Sequence, residues 1–352
     1  MNRFDYIRPA TLAEAVAAGS AAGSAYLAAG TNLLDLMKTG VSRPERLVDI
    51  TRLPGLDRIE WLEDGSVRIG AMVRNADLAY DKTFAKAFPS VCEAILSGAS
   101  PQLRNAATIG GNLLQRTRCP YFQDVASACN RRAPGSGCDA LKGENRLHAV
   151  LGWSESCIAT HSSDLCVSLV ALDAAVEVEG LDGRRVIPLA DLHSLPGETP
   201  ARETALSAGE LITGLHLPAA ARRFAAHTRY LKLRERTSYA FAVVSAAAAL
   251  DLGGGRIRQA RIALGAVAPK PWRALEAEAS LVGAEPTAEA FARAAALALA
   301  EARASGDNAF KIELSRRIVA RALAMAAEGT PSVMPALPAS PFSTIPGARH
   351  VA

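Results

Sequence analysis

At 352 residues, 49% of them apolar and 21% charged, the chain is long enough for two domains and has the balance of a globular protein with a sizeable core. Its formal charge of +4, with no concentrated basic face interleaved with aromatics, excludes a nucleic-acid-binding reading. No run of eighteen apolar residues occurs, and the opening Met1-Asn2-Arg3-Phe4-Asp5-Tyr6 has no apolar secretory core, so neither a membrane span nor a secretory signal is expected.

Thr11-Leu12-Ala13-Glu14 has the spacing of a capping box and opens a short Ala-rich helix. A short strand is predicted over 25–29, a turn at Gly30-Thr31-Asn32, a second short helix over 33–39 and an apolar strand over 46–50. Period-two alternation around Asp64-Gly65 predicts a hairpin of 58–61 and 67–71. Residues 84–96 read as mostly helical. After Thr108-Ile109-Gly110-Gly111-Asn112 come about fifty residues without periodicity, a length that is normally functional or disordered. Strands are predicted at 167–171, 175–178 and 211–217, the last stopping at Pro218, with a domain boundary over 218–223. Beyond it, 230–234 and 240–250 read as strands, or a strand plus a buried segment, and 257–266 as another strand. Two helices are predicted at about 287–304 and 308–328, the second capped by Asp307 and stopped by Gly329 before Pro331. Residues 331–352, rich in Pro, Ser and Ala, are expected to be an unpacked tail.

Two of these segments suit a phosphate. Ala28-Ala29-Gly30-Thr31-Asn32-Leu33 joins a strand to a helix through small residues, so backbone N–H groups can approach an anion and the helix N-terminus adds a favourable dipole. The ordinary alternative is a plain turn. Thr108-Ile109-Gly110-Gly111-Asn112 offers a second such loop with a hydroxyl and an amide, its alternative being a bulge or tight bend. No G-x-G-x-x-G follows the first strand, which disfavours a nicotinamide dehydrogenase. Two separate turns of this kind suggest a large dinucleotide gripped from two sides.

The cysteines are unevenly placed: five of the six fall within the 48 residues from Cys119 to Cys166. Cys92, beside Val91 and near Ile95, and Cys166, in Leu165-Cys166-Val167, are expected in the core. Cys119, Cys129, Cys138 and Cys157 are separated by nine, eight and eighteen residues, unlike the C-x₂-C pairs of structural zinc or the short ferredoxin spacing. Thiolate-only ligation suits zinc or an iron–sulfur cluster, and Arg118, Arg131 and Arg132 would offset its negative charge. The spacing leaves open a cluster, a zinc ion, and free or disulfide-bonded thiols.

With these features together, the chain resembles the FAD-binding subunits of the xanthine dehydrogenase and carbon monoxide dehydrogenase group. More narrowly, it resembles the FAD subunit of bacterial three-subunit aldehyde oxidoreductases, whose flavin subunit also holds a [4Fe-4S] cluster. The resemblance runs from Phe4 to about Ala327. It is carried by the stretch from Ala29 to Lys38, by Ala107-Thr108-Ile109-Gly110-Gly111-Asn112 continuing through Arg118-Cys119-Pro120-Tyr121, by Cys157-Ile158-Ala159-Thr160-His161-Ser162-Ser163-Asp164, and by Arg236-Thr237-Ser238-Tyr239-Ala240-Phe241-Ala242.

The resemblance implies a mixed α+β chain. A two-part PCMH-type FAD-binding domain would span 1–220, with subdomains of about 1–54 and 55–220 and a cysteine-rich insert at about 116–160. A smaller α/β domain of the CO dehydrogenase flavoprotein C-terminal type would follow at 221–330. By position, Ala28, Ala29, Gly30, Thr31, Asn32 and Leu33 would hold the FAD pyrophosphate, with Thr108, Gly111 and Asn112 approaching from the other side. Asp164 would hydrogen-bond the ribityl or adenosine part, Ile212 would lie against the isoalloxazine ring, and Lys232 would place positive charge by the reduced ring. Their ordinary alternatives are a cap, a core residue and a solvated lysine. Cys119, Cys129, Cys138 and Cys157 match the four cluster ligands, while Ala29 stands where a glycine is common in the family.

In that family a large partner subunit oxidises aldehyde at a molybdenum cofactor, and [2Fe–2S] clusters on a small subunit pass the electrons to FAD and on to an external acceptor. The expected assembly is a heterotrimer or its dimer, cytoplasmic or exported to the periplasm with a signal-bearing partner. No nucleophile–base arrangement independent of the flavin is visible in the sequence. Competing readings are a self-sufficient flavin oxidoreductase and a zinc-stapled interaction subunit.

Overall fold

A computed structural model describes residues 1–332, so the predicted tail from 333 onward lies outside the described residues. The chain starts with a parallel sheet in the order β1–β3–β2, built from β1 (Asp5–Ile7), β2 (Ser24–Leu27) and β3 (Arg46–Asp49). Parallel strands need crossovers, and the helices Leu12–Gly19 and Leu33–Lys38 supply them. The first begins at the capping box: Glu14 N donates to Thr11 Oγ1 at 3.2 Å, and Thr11 N donates to Glu14 Oε2 at 3.3 Å.

The hairpin β4 (Ile59–Trp61) and β5 (Val67–Gly70) enters an antiparallel sheet with β6 (Ala175–Gly180), β7 (Gly183–Pro188) and β8 (Leu211–Leu217), ordered β4–β5–β8–β6–β7. Ile69, Val176 and Leu215 of this sheet share one buried core with Val91 and Ile95 of helix Pro89–Ser97, Ile109 of helix Ile109–Leu113 and Leu169 of helix Asp164–Ala171. A third antiparallel sheet follows, ordered β12–β11–β10–β9, from β9 (Thr228–Leu233), β10 (Val244–Gly253), β11 (Arg256–Gly265) and β12 (Trp272–Arg273). The helices Leu275–Leu281, Ala288–Ala298 and Phe310–Glu328 cover it. Side chains alternate across a strand. Ala246, Ala248 and Leu250 of β10 therefore face that helical layer, while Ala247 and Ala249 join the core of the five-stranded sheet. Among the described residues no helix is long and apolar enough to cross a membrane.

Several local expectations are corrected. Residues 167–171 are not a strand but the body of helix Asp164–Ala171, whose cap is Ser163, with Cys166 N donating to Ser163 Oγ at 3.2 Å. From Leu165 to Ala171 this helix is buried and, Ser168 apart, apolar, a pattern whose periodicity cannot distinguish helix from strand. The second glycine segment is likewise a helix start, with Gly111 N donating to Thr108 Oγ1 at 3.3 Å. The helical stretch 84–96 breaks at Phe88, because the following Pro89 pushes that residue out of the helical region. Asp307 does not cap the last helix, which begins at Phe310 after Ala309, and the helix expected to reach 304 stops at Ala298. Strand β7 and helix Leu275–Leu281 had no predicted counterpart.

Candidate functional site

The turn after β2, two helix starts and the loop after β9 converge on a cavity of about 610 Å³, within the range of cofactor sites. Thr31 and Asn32 line it from the first glycine turn, Gly111 and Asn112 from the second, and Asp164 and Lys232 from two further elements. Gly30 sits at φ +74°, and a Cβ there would stand 2.7 Å from Leu34 Cδ1, so this turn requires glycine. The two later glycines differ. A Cβ on Gly110 would meet that of Ala71 at 2.9 Å, a packing demand, whereas one on Gly111 would meet only Thr108 Oγ1, at 3.0 Å.

Asn32 Oδ1 accepts from Arg116 N at 3.0 Å, which ties the first turn to the cysteine-rich insert and leaves Asn32 Nδ2 buried without a partner. Asn75 Oδ1 and Arg118 Nε are also buried and unpartnered, and all three residues belong to the cavity wall. Buried polar atoms nearly always have partners, so three orphans on one wall fit the seat of a large polar ligand. The chemistry of this wall suits a dinucleotide: small turns and helix starts for phosphates, a carboxylate for hydroxyls, and apolar and aromatic surface at Ile95, Leu103 and Phe241.

Asp164 lies one residue inside its helix, and its carboxylate reaches across to β9. Oδ1 accepts from Tyr230 OH at 2.6 Å and Oδ2 from Lys232 Nζ at 2.8 Å, while Nζ also donates to Ser97 O at 3.2 Å. Burial and then the Asp164 charge hold the Tyr230 hydroxyl well above its usual range, so it stays a donor. The Lys232 side chain is only 3% exposed, which rules out the solvated-lysine alternative. Among the described residues four non-glycine residues take positive φ, and two of them, Ala99 at 51° and Tyr239 at 50°, stand on this wall. Backbone strain of that kind collects at ligand sites.

Other expected residues lie elsewhere. Ile212, on β8, is buried in the main core and is not part of the cavity wall. Ala28, Ala29, Gly30, Leu33 and Thr108 shape the turns without lining the cavity. Asn75, Tyr239 and Phe241 were not foreseen as site residues. Arg118, expected to balance thiolate charge, instead lines this cavity, its guanidinium carbon 5.0 Å from the Phe241 ring centroid. The available signal was its adjacency to Cys119, since in an extended segment successive side chains point opposite ways.

Cys119, Cys129, Cys138 and Cys157 line a second, small space in the insert. Cys119 precedes the short helix Pro120–Gln123, Cys129 and Cys138 oppose each other across an antiparallel bridge, and Cys157 bridges Ser154. All six cysteines are free thiols. Burial pushes the Cys119 thiol up to about 12. Arg131 also lines this space, with its guanidinium 3.4 Å from Glu203. Burial disfavours that charge, but the neighbouring Cys157 and Glu203 outweigh it and raise the Arg131 pKa. Arg132 has another task, donating to the carbonyls of Tyr121 at 2.7 Å and Phe122 at 2.9 Å. Among the described residues, three ligand-type atoms come within 4.8 Å of one another at His161, Cys166 and His193, and at no three of the four cage thiols.

Residues 2–220 match the FAD binding domain in molybdopterin dehydrogenase, and residues 229–326 match the CO dehydrogenase flavoprotein C-terminal domain. The chain belongs to the FAD-binding subunits of the xanthine dehydrogenase family. This FAD-binding subunit is 47% identical over 329 residues to the aldehyde oxidoreductase FAD-binding subunit PaoB of Escherichia coli (strain K12), covering 93% of this chain and 99% of the relative. It is 32% identical over 330 residues to the carbon monoxide dehydrogenase medium chain of Hydrogenophaga pseudoflava, covering 91% of this chain and 96% of that one. Its fold also resembles a chain of quinoline 2-oxidoreductase from Pseudomonas putida 86, with TM-score 0.71, 26% identity and coverage of 93% of this chain and 98% of the other. The mixed α and β architecture expected from the sequence is the observed one, and the homologues are subunits of oxidoreductases.

Proposed function

We propose that this chain is the FAD- and [4Fe-4S]-binding electron-transfer subunit of a molybdenum-dependent aldehyde oxidoreductase. The observation that carries this reading is that four cysteines far apart in sequence close on one cage, and that the segment after Cys157 runs on to Asp164 in the wall of the larger cavity. Identity to PaoB over nearly the whole chain supports aldehyde as the substrate of the assembly.

In this reading Thr31 and Asn32 present backbone and amide N–H groups to the FAD diphosphate, while Gly111 and Asn112 close on it from the opposite side. Asp164, fixed by Tyr230 and Lys232, accepts hydrogen bonds from ligand hydroxyls. Lys232, 2.8 Å from Asp164, stands at the wall, where a positive charge would favour added negative charge on a bound ring. Bound FAD supplies two-electron and one-electron redox chemistry, and this chain supplies binding, orientation and charge. No residue of the chain is assigned a catalytic role. The domain division follows the same reading: 1–220 for the flavin and the insert, 221–330 for the C-terminal domain. A large molybdenum-cofactor subunit and a small [2Fe–2S] subunit complete a heterotrimer.

The thiol spacing bears on a single zinc ion. Zinc with four bonds of about 2.3 Å would draw its sulfurs to roughly 3.8 Å from one another. No three of these thiols lie within even 4.8 Å.

The test is the purified chain and its complex. Flavin bands, a broad cluster shoulder and about four irons per chain are expected, with aldehyde turnover only in the complex. Zinc in place of iron overturns the cluster, absence of flavin overturns the core of the reading, and turnover by the isolated chain overturns the need for partners.

A further inference from the structure

We infer that His148 is a hydrogen-bond donor to the Cys119 sulfur, and that the C-terminal domain holds it in place so as to tune the reduction potential of the group in the cage. The inference rests on the reading of the four thiols as cluster ligands. His148 is buried, with Nε2 at 3.2 Å from Cys119 Sγ, while its Nδ1 is buried and has no partner. A neutral imidazole carries one proton. Nδ1 makes no hydrogen bond, with only the Asn145 backbone near the ring, whereas Nε2 stands 3.2 Å from the sulfur, so the geometry favours the Nε2–H form.

The position of His148 is set from outside the insert. Its carbonyl accepts from Asn308 Nδ2 at 3.1 Å and from Lys311 Nζ at 2.9 Å. Lys311 is 0% exposed and has no carboxylate partner; its ammonium donates twice more, to Leu147 O at 2.8 Å and to Ala266 O at 2.7 Å. Three backbone carbonyls thus surround Nζ, two from the insert and one just after β11. A buried lysine is costly, and this one locks the backbone of His148 to the start of helix Phe310–Glu328. No role for it in flavin binding is apparent, because neither Lys311 nor His148 lines the larger cavity.

A hydrogen bond to a cluster sulfur stabilises the more negative, reduced state more than the oxidised one, so it raises the potential. In the assembled complex, His148→Phe is therefore expected to shift the midpoint potential of the [4Fe-4S] group downward. His148→Gln, which keeps an N–H donor, should recover part of the shift, and Lys311→Met should lower the midpoint less than His148→Phe. In wild-type complex labelled with ¹⁵N-histidine, the reduced cluster should show hyperfine coupling to one histidine nitrogen, and this coupling should vanish in His148→Phe. An iron-loaded His148→Phe complex with wild-type potential and unchanged coupling overturns the inference. Should that variant fail to hold iron, absence of the coupling in labelled wild type overturns it equally. A wild-type complex whose cage contains no iron overturns the cluster reading instead, so the two failures are distinct.

Discussion

Asp164 begins a helix of the five-stranded-sheet core, yet its carboxylate is held by Tyr230 and Lys232 on β9 of the next sheet. The two partners hold it aimed at the cavity wall. Asp164→Ala removes a charge-assisted acceptor of the kind worth about 1.5–3 kcal/mol, so flavin affinity should fall about 10- to 100-fold in titrations of flavin-depleted subunit. An unchanged Kd would remove Asp164 from the binding role. At the cage, Cys157→Ser should empty or deplete the iron while the flavin spectrum persists, because Cys157 lines only the smaller space. Parallel loss of both would mean that the insert folds only around its metal.

Between elements, a dense polar tie surrounds Glu177 of β6. It pairs with Arg68 of β5 at 2.8 Å and Arg184 of β7 at 3.3 Å, accepts from Thr213 Oγ1 of β8 at 2.7 Å, and lies 3.2 Å from His216 Nε2. Burial alone would raise its pKa, but hydrogen bonds from Arg68, Thr213 and His216 outweigh it and hold the carboxyl at about 2, below its ordinary 4.5. A carboxyl lowered on folding stabilises the fold above its unfolded pKa, and that contribution fades as pH falls through the folded value. Thermal stability should therefore decline between about pH 4.5 and 2, with Asp49, also held at about 2, contributing in the same window. Glu177→Gln should flatten the profile there and cost about 2 kcal/mol at neutral pH, because Arg68 loses one of its two carboxylate partners and keeps only Glu60, at 3.0 Å. A variant with the wild-type acid profile would show that other groups control it.

Across the molecule, β10 is the shared element. One face of its alanine run serves the helical layer and the other serves the core of the five-stranded sheet, so neither domain has a complete core alone. The insert adds a second tie, with Val150 N and Leu151 N donating to Val267 O at 2.8 and 3.0 Å and Arg303 N donating to Val150 O at 2.8 Å. Calorimetry should show a single cooperative transition for the two domains, and two resolved peaks would contradict the shared core. For the same reason, a chain ending at 220 should bind no flavin in an absorption assay, since Lys232, Tyr239 and Phe241 all come from beyond that point.

The features readable from sequence are those that neighbours in the chain enforce. The capping box at Thr11, the hairpin around Asp64-Gly65 and the glycine at position 30 are local geometry, settled by a hydrogen bond or a φ angle within a few residues. The four cysteines could be set apart from Cys92 and Cys166 because their surroundings differ in polarity over the same short range. Tertiary structure decided the rest. It made 167–171 helical, because a run buried on every side has no periodicity to report its type. It placed Ile212 in the core and Arg118 on the cavity wall, and it brought Lys232 to Asp164 and Lys311 to His148 across long stretches of chain. Such pairings depend on which surfaces meet when the sheets and helices pack. By itself the sequence determined where a phosphate could be approached and which thiols stand apart; only packing decided which charges and carbonyls face them.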